Sequence, residues 1–376
     1  MSASLPHSPD HPDRTRLRLL GALATGAGLG LAGCATSQKP VQTPYVPPQR
    51  TPHDLGLRGS YGQREDVMQQ VPGMARQLGL PEEYVRVAVG NADFIPSVQR
   101  LILPAGRGVR RNWRVYRSRF VEPIRIRAGV AFWQQNADTL RQAESRYGVP
   151  AKYVVGILGV ETIFGRNMGN IRVIDALSTL SFDFPPSHPR AAERHAFFRN
   201  ELEQYLRLTW KNHDDPLELR GSYAGAMGMP QFMPSSWAKY AVDFDHRGHI
   251  DLFHSPADAI GSVAHYFQQY GWVSGMPPEF EVTFEPQGLH LDTLLAPDIV
   301  PSFTPAAMAA LGATPRDVPA DFHGQLALIE LENGSDAPSY YAGTQNFYVI
   351  TRYNNSSYYA QSVIDLGNAV DKAMRG

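Results

Sequence analysis

Residues 148–172 read Gly-Val-Pro-Ala-Lys-Tyr-Val-Val-Gly-Ile-Leu-Gly-Val-Glu-Thr-Ile-Phe-Gly-Arg-Asn-Met-Gly-Asn-Ile-Arg. Pro150 stands where a helix begins, a place that tolerates the missing backbone N–H. From Tyr153 to Phe164 nearly every side chain is apolar, with Gly156 and Gly159 small enough to admit a neighbouring backbone. A helix apolar on all sides belongs in a protein interior, and Gly165 supplies a stop. Glu161 is the ionisable residue inside this run. Burial and the negative end of the helix dipole would both raise the pKa of such a carboxyl group. A carboxylic acid kept protonated near neutral pH is the reagent that protonates a departing glycosidic oxygen. The structural alternative is an ion pair with Arg166 or Arg172.

Around this stretch lies a chain of 376 residues, 43% of them apolar, long enough for a sizeable core and more than one domain. A formal net charge of -1 gives no electrostatic footprint for nucleic acid. A single cysteine excludes an internal disulfide framework and any multi-cysteine metal site. That cysteine, Cys34, closes a short apolar run, LLGALATGAGLGLAGC, behind Arg14, Arg16 and Arg18. A basic start followed by a short apolar segment is an export signal, too short for a comfortable membrane span. Leu31-Ala32-Gly33-Cys34 resembles the lipobox of bacterial lipoproteins, which implies cleavage before Cys34 and its acylation. The lipid would anchor the chain to a membrane without spanning it. Ala35, not aspartate, follows, which favours the periplasmic face of the outer membrane of a Gram-negative bacterium. The next residues, rich in Pro, Thr and Gln, read as a tether.

Further along, residues 62–81 show helical spacing with a break at Pro72, and Pro81-Glu82-Glu83 opens another helix. Residues 110–121 mix five arginines with Trp113, Tyr116 and Phe120, a solvated helix face with an aromatic inner side or a place where an aromatic meets sugar. Residues 126–147 are helical, as are the segments ending at Pro185, at 190–211 and at Pro256–Tyr270. Between them 220–253, rich in Gly, Ser, Met and Pro, reads as a shaped loop, with Ser235 as N-cap of a short helix. FEVTFEP and LALIELEN read as strands, NFYVITRY as strand-like, and the last twenty residues as a helix.

Four blocks, GVETIFGRNMGN, RGSYAGAMGMPQFMPSSWAKYAVDF, DAIGSVAHYF and NFYVITRYNNSSYYAQ, in this order and behind a lipobox, resemble the lipoprotein lytic murein transglycosylase B family over about residues 60–376. The resemblance implies a mainly α (α+β) fold: a lysozyme-like helical catalytic core with an added helical domain and a small β-rich domain. The expected division is signal peptide 1–33, tether 34–60, helical domain 61–115 joined by the C-terminal helix 357–374, catalytic core 116–275, β-rich domain 276–335, and a groove-lining segment 336–356. The family's acid falls on Glu161, and its groove residues on Ser222, Gln231, Tyr116, Tyr266, Tyr348 and Tyr353. Each groove residue also has a structural reading, as turn, loop cap or core aromatic with a satisfied hydroxyl.

The implied reaction cleaves the bond between N-acetylmuramic acid and N-acetylglucosamine in peptidoglycan without water, leaving 1,6-anhydromuramyl ends. One glutamate acts as acid and then base, so no second carboxylate is required. Asp175 and Asp183, the nearest acids in sequence, sit in ordinary helix and turn. The alternatives are an inactive peptidoglycan-binding or scaffold protein of this fold and a lysozyme-type hydrolase of the same bond. No cofactor is required. Some relatives carry an EF-hand-like calcium loop where this chain has Asp243, Asp245, Gly248 and His249, with Asp258 further on. Arg247 stands at the fifth loop position, where calcium needs an oxygen, and a guanidinium can replace the ion by bridging the acids. His254 takes the twelfth position in place of glutamate. Met229-Pro230 before Gln231 departs from the small or aromatic residues expected there and bears on how Gln231 is positioned. Partners are peptidoglycan glycan strands, the membrane that receives the lipid, and proteins of cell-wall synthesis or division.

Overall fold

The computed structural model describes residues 56–104 and 111–376. The signal peptide, Cys34 and nearly all of the tether lie outside them. Four helices come first: α1 Glu65–Met68, α2 Val71–Leu78, α3 Glu82–Gly90 and α4 Pro96–Ile102. After them run α5 Trp113–Arg117, α6 Pro123–Gln135, α7 Ala137–Tyr147 and α8 Ala151–Thr162. The short strand β1 Ile171–Arg172 leads into α9 Val173–Phe182 and the long α10 Ala191–Asn212, and β2 Arg220–Gly221 pairs back on β1. α11 Pro234–Tyr240 and α12 Pro256–Gln269 complete the helical part. Then come β3 Glu279–Phe284, α13 Leu291–Leu295, α14 Pro305–Ala310, β4 Ala313–Pro315, β5 Ala327–Asn333 and β6 Asp336–Gly343, and the chain ends with α15 Gln345–Tyr353 and α16 Ser357–Arg375. The fold is mainly α.

Helix α8 forms the axis. Of its twelve residues only Lys152 and Glu161 keep appreciable surface. Glycine sets how closely α16 can lie against it. A Cβ on Gly156 would come 2.3 Å from the Val363 carbonyl oxygen, and one on Gly367 would come 2.3 Å from that of Lys152. The two helices therefore run antiparallel with their backbones in contact, a geometry only residues without Cβ allow. α16, expected to join the domain at 61–115, packs chiefly along α8 and α6 and also meets α5 of that region.

One continuous apolar core runs from Tyr61 through α8, α10 and α12 to Val370, while Phe280, Leu294, Met308, Leu326, Leu328 and Ala342 form a second, smaller one. The small core lies under an antiparallel sheet of order β4-β3-β6-β5. β5 joins the two cores by its alternation: Ala327, Ile329 and Leu331 face the large core and Leu328 the small one.

Several local expectations change. NFYVITRY is helix α15, not a strand. Thr344 caps it by accepting the Asn346 N–H at 3.0 Å, and Phe347, Ile350 and Tyr353 fall on one buried face. Packing outweighs the β-propensity of its Val, Ile and Thr. The segment 336–356 is the fourth strand β6 and α15. Helix α8 ends at Thr162, three residues before Gly165, because Ile163 already turns left-handed. Met233, not Ser235, precedes α11; the Ser235 hydroxyl instead donates to Glu201 at 2.5 Å.

Candidate active site

Glu161 projects from the last turn of α8, partly exposed. Its Oε1 accepts a hydrogen bond of 2.5 Å from the Tyr359 hydroxyl on α16. Tyr359 is buried, and burial first, then the Glu161 charge, pushes its pKa far above the ordinary value, so it stays a proton donor. Arg172, proposed above as a structural partner of Glu161, is bonded to Asp93 and Asp175. Arg125, buried on α6, donates to the Gly159 carbonyl at 3.2 Å and places positive charge at the end of α8.

The backbone behind Glu161 is strained. Ile163 and Phe164 have φ of 53° and 57°, left-handed values that cost a β-branched residue about 1–2 kcal/mol. The turn is held by Phe164 N–H on the Leu158 carbonyl, and by Thr162 Oγ1, which accepts from Gly165 N–H and donates to the Met229 carbonyl. That last bond docks the 220–232 loop against α8. Tyr353 secures the next residue, its hydroxyl donating to the Pro230 carbonyl at 2.5 Å. Met229 and Pro230 thus anchor Gln231 through their carbonyls. Gln231 itself has φ 53°, and its Nε2 donates to the carbonyls of Met168 and Gly228. Ser222 is buried at a tight turn, with Oγ accepting N–H from Ala224 and Ala226. Gly169 makes the loop crossing possible: a Cβ there would lie 2.1 Å from the Gly221 carbonyl oxygen.

Ser222 and Gln231 therefore sit on the loop that closes over the end of α8. Tyr116 packs against Phe120 and Tyr358, and burial first, then the charge of Glu161, raises its pKa. Tyr353 stacks on Tyr359, ring centroids 6.4 Å apart. Tyr266 is a supporting residue; it is buried among Phe232, Tyr240, Tyr270 and Tyr353, and its hydroxyl donates to the Arg352 carbonyl. Tyr348 is tied to Arg352, whose guanidinium lies 4.2 Å over its ring, rather than to Glu161. Tyr359 escaped the sequence reading. Its signal was position: it shares the apolar face of Val363, Leu366 and Val370, and a phenol buried on such a face needs a partner.

The nearby carboxylates are committed elsewhere. Asp175 accepts from Arg172 and from Asp93 N–H, while Asp183 accepts from Tyr61 and Arg64. Both tie the 57–94 region to α9.

At the acidic loop, carboxylate oxygens of Asp243, Asp245 and Asp258 come within 4.8 Å of one another; His249 is not part of the group. Hydrogen bonds from the chain itself already reach all three acids. Asp243 accepts N–H from Arg247 and Gly248, and Asp258 accepts from Phe244, Asp245 and Asp251. Asp245 Oδ2 accepts from the Arg247 guanidinium and from Ser255. Burial opposes ionisation of Asp245, but Arg247 and Ser255 outweigh it and hold its pKa below the ordinary value. Asp245 Oδ1 alone in this group is enclosed without a hydrogen-bond partner. The Arg247 guanidinium holds Asp245, and only its backbone reaches Asp243.

Comparison with known proteins decides the family. The model of the Transglycosylase SLT domain matches residues 63–368. The chain belongs to the transglycosylase SLT domain family. Among members of the family, the membrane-bound lytic murein transglycosylase B of Escherichia coli (strain K12) is 38% identical over 358 residues, 90% of this chain and 94% of that protein. The soluble lytic transglycosylase SltB1 of Pseudomonas aeruginosa is 40% identical, with a TM-score of 0.74 over 83% of this chain and all of that one. The Escherichia coli lytic transglycosylase Slt35, solved in complex with calcium, is 39% identical, with a TM-score of 0.72 over 85% of this chain and 96% of that one. This SLT-domain chain thus keeps the family's fold while placing Arg247 in its acidic loop.

Proposed function

We propose that this chain cleaves the glycan strands of peptidoglycan as a lytic transglycosylase, with Glu161 as its one acid and base. Protonated Glu161 gives its proton to the oxygen between N-acetylmuramic acid and N-acetylglucosamine, and the C1–O bond breaks as the glucosamine 4-hydroxyl leaves. The muramyl acetamido oxygen supports the positive charge developing at C1. The Glu161 carboxylate then takes the proton of the muramyl C6 hydroxyl as O6 bonds to C1, which closes the 1,6-anhydro ring and restores the acid. An attacking group held within the same sugar has the advantage of an intramolecular reaction over water.

The residues around Glu161 suit these steps. Tyr359 fixes the carboxylate and shares its charge in the second step. With Nε2 of Gln231 spent on two carbonyls, Oε1 is its group for a sugar amide or hydroxyl. Ser222 accepts from two N–H groups and so offers its hydroxyl proton. Tyr116, whose pKa the charge of Glu161 raises, is the aromatic assigned here to a sugar ring. The observation that carries the assignment is a lone carboxylate on the open end of a buried helix, with Asp175 and Asp183 both committed to ion pairs. Most glycosidases that work through water use a second carboxylate.

Cys34 would carry the lipid, with 35–60 as the tether that lets the catalytic part reach murein from the periplasmic face of the outer membrane. Among the described residues no helix is long and apolar enough to cross a membrane. The decisive experiment digests purified sacculi with wild type and Glu161→Gln and identifies the new ends by mass spectrometry. Anhydromuramyl ends from wild type and a loss of about 100-fold or more in the variant are expected. Reducing muramyl ends would make the chain a hydrolase, and an unimpaired variant would remove Glu161 from the chemistry.

A further inference from the structure

Arg125 stands in the first turn of α6 and is only 7% exposed. A cation taken this far out of water is costly unless its donors are used. Nε donates to the Gly159 carbonyl at 3.2 Å and Nη1 to the Arg119 carbonyl at 2.6 Å. The guanidinium carbon lies 5.3 Å from the centre of the Phe120 ring. The Glu122 carboxylate, 3.7 Å away, is occupied in capping α6, where it accepts N–H from Ile124 and from Arg125 itself. The guanidinium is thus aimed at backbone carbonyls rather than at a close ion pair.

Both carbonyls belong to the frame of the site. Gly159 lies two residues before Glu161, and its oxygen also accepts the N–H of Ile163 at 3.3 Å, the first of the two left-handed residues behind the acid. Phe164, the second, is held by the same helix α6. A Cβ on Gly129 would come 3.1 Å from its ring and one on Gly159 2.9 Å, while Phe132 stacks on it with centroids 5.0 Å apart. α6 therefore secures the strained turn twice, at the Gly159 carbonyl through Arg125 and at Phe164 through a slot that glycines leave open. Backbone strain persists only where the surroundings over-determine it. At the other end of the guanidinium, Arg119 belongs to the turn after α5, and its N–H donates to the Tyr116 carbonyl at 3.2 Å. One side chain joins the segment that carries Tyr116 to the end of the helix that carries Glu161. An apolar side chain of similar length would fill this place without the cost of burying a charge.

We infer that Arg125 is a positioning residue for Glu161: by bracing the Gly159 carbonyl against the α5–α6 turn, it holds the strained turn and with it the carboxyl group in place for proton transfer. The inference rests on the reading of Glu161 as the cleaving acid. Arg125 acts through the backbone, so its effect falls on the chemical step rather than on binding. Misplacing a reacting group by about 1 Å costs on the order of 100-fold in rate.

The test compares Arg125→Met and Arg125→Lys with wild type, as full chains acting on soluble glycan strands, with Tm measured alongside. Met keeps the length and loses every donor; Lys keeps the charge and loses the planar fork that spans two carbonyls. In Arg125→Met kcat should fall roughly 10- to 100-fold, and in Arg125→Lys by a smaller factor, with KM within about twofold of wild type and Tm little changed. Should Arg125→Met not fold, the kcat of Arg125→Lys decides alone. A wild-type kcat in the folded variants, a rise in KM without a fall in kcat, or a loss of kcat that only parallels loss of folded protein would overturn the positioning role. Glu161→Gln with wild-type activity would overturn the reading of Glu161, and the inference with it, whatever the Arg125 variants do.

Discussion

The hydroxyl of Tyr359 and Oε1 of Glu161, 198 residues apart in the chain, meet at 2.5 Å. Antiparallel packing makes this contact. Gly156 lies against Val363 and Gly367 against Lys152, so the start of α16 falls level with the end of α8. The phenol then supports the carboxylate from a buried helix, whose position side-chain motion cannot easily change.

Tyr359→Phe removes the donor and keeps the ring. A hydrogen bond to a charged group contributes about 1.5–3 kcal/mol, so kcat on sacculi should fall roughly 10- to 100-fold, with KM little changed. Steady-state kinetics on soluble glycan strands would reveal it, and an unaltered kcat would mean that Tyr359 only fills space.

Gly156→Ala places a methyl group where the Val363 carbonyl stands. The helices must separate, and overpacking of this kind costs about 1–3 kcal/mol. Urea unfolding should show that loss, together with a fall in activity as Tyr359 draws back from Glu161. Full activity at reduced stability would show that the contact tolerates the displacement.

Glu279 on β3 accepts from Gln361 of α16 at 2.9 Å, and although the residue keeps some surface, its Oε2 is enclosed without a partner. Burial first, then the charges of Asp365 and Glu281, pushes its pKa up to about 7, with Gln361 opposing. The folded state therefore holds this proton where the unfolded chain has released it. Stability is fully present below the unfolded value of 4.5 and is lost as pH rises toward 7, by up to roughly 3 kcal/mol. In Glu279→Gln that loss disappears. Thermal unfolding of both proteins at pH 5 and pH 8 would check the sign: the variant should gain on wild type only at the higher pH.

The acidic loop should work without calcium. Neither excess calcium nor a chelator is expected to move the Tm of wild type, because Arg247 already holds Asp245. Arg247→Asp removes that cation and adds an oxygen ligand. Its Tm should rise by several degrees once calcium well exceeds its dissociation constant. A calcium-dependent Tm in wild type would refute the guanidinium's role.

Helix α8 was legible because its composition admits one environment. A twelve-residue run apolar on every side must be internal, and its lone acid must then serve a purpose. The strands FEVTFEP and LALIELEN were legible from alternation, β5 most clearly since each of its faces meets a different core. NFYVITRY misled because β-branched residues fit strands locally. The Thr344 cap and the pairing of Asn346 with Val273 and Met276 made it helical. Gly165 misled because helix termination was assigned to the residue best suited to it. The strain fell on Ile163, held there by Thr162 and the Met229 loop.

By itself the sequence determined which side chains are buried, which helix carries the acid and which blocks bear the family's pattern, because burial and periodicity are properties of each segment. Tertiary structure alone decided that Tyr359 meets Glu161, that Gln231 and Ser222 close over the end of α8, and that Arg125 of α6 reaches the Gly159 carbonyl. Such contacts depend on how closely two backbones approach and in what register, and those distances are set only when all the segments are packed together.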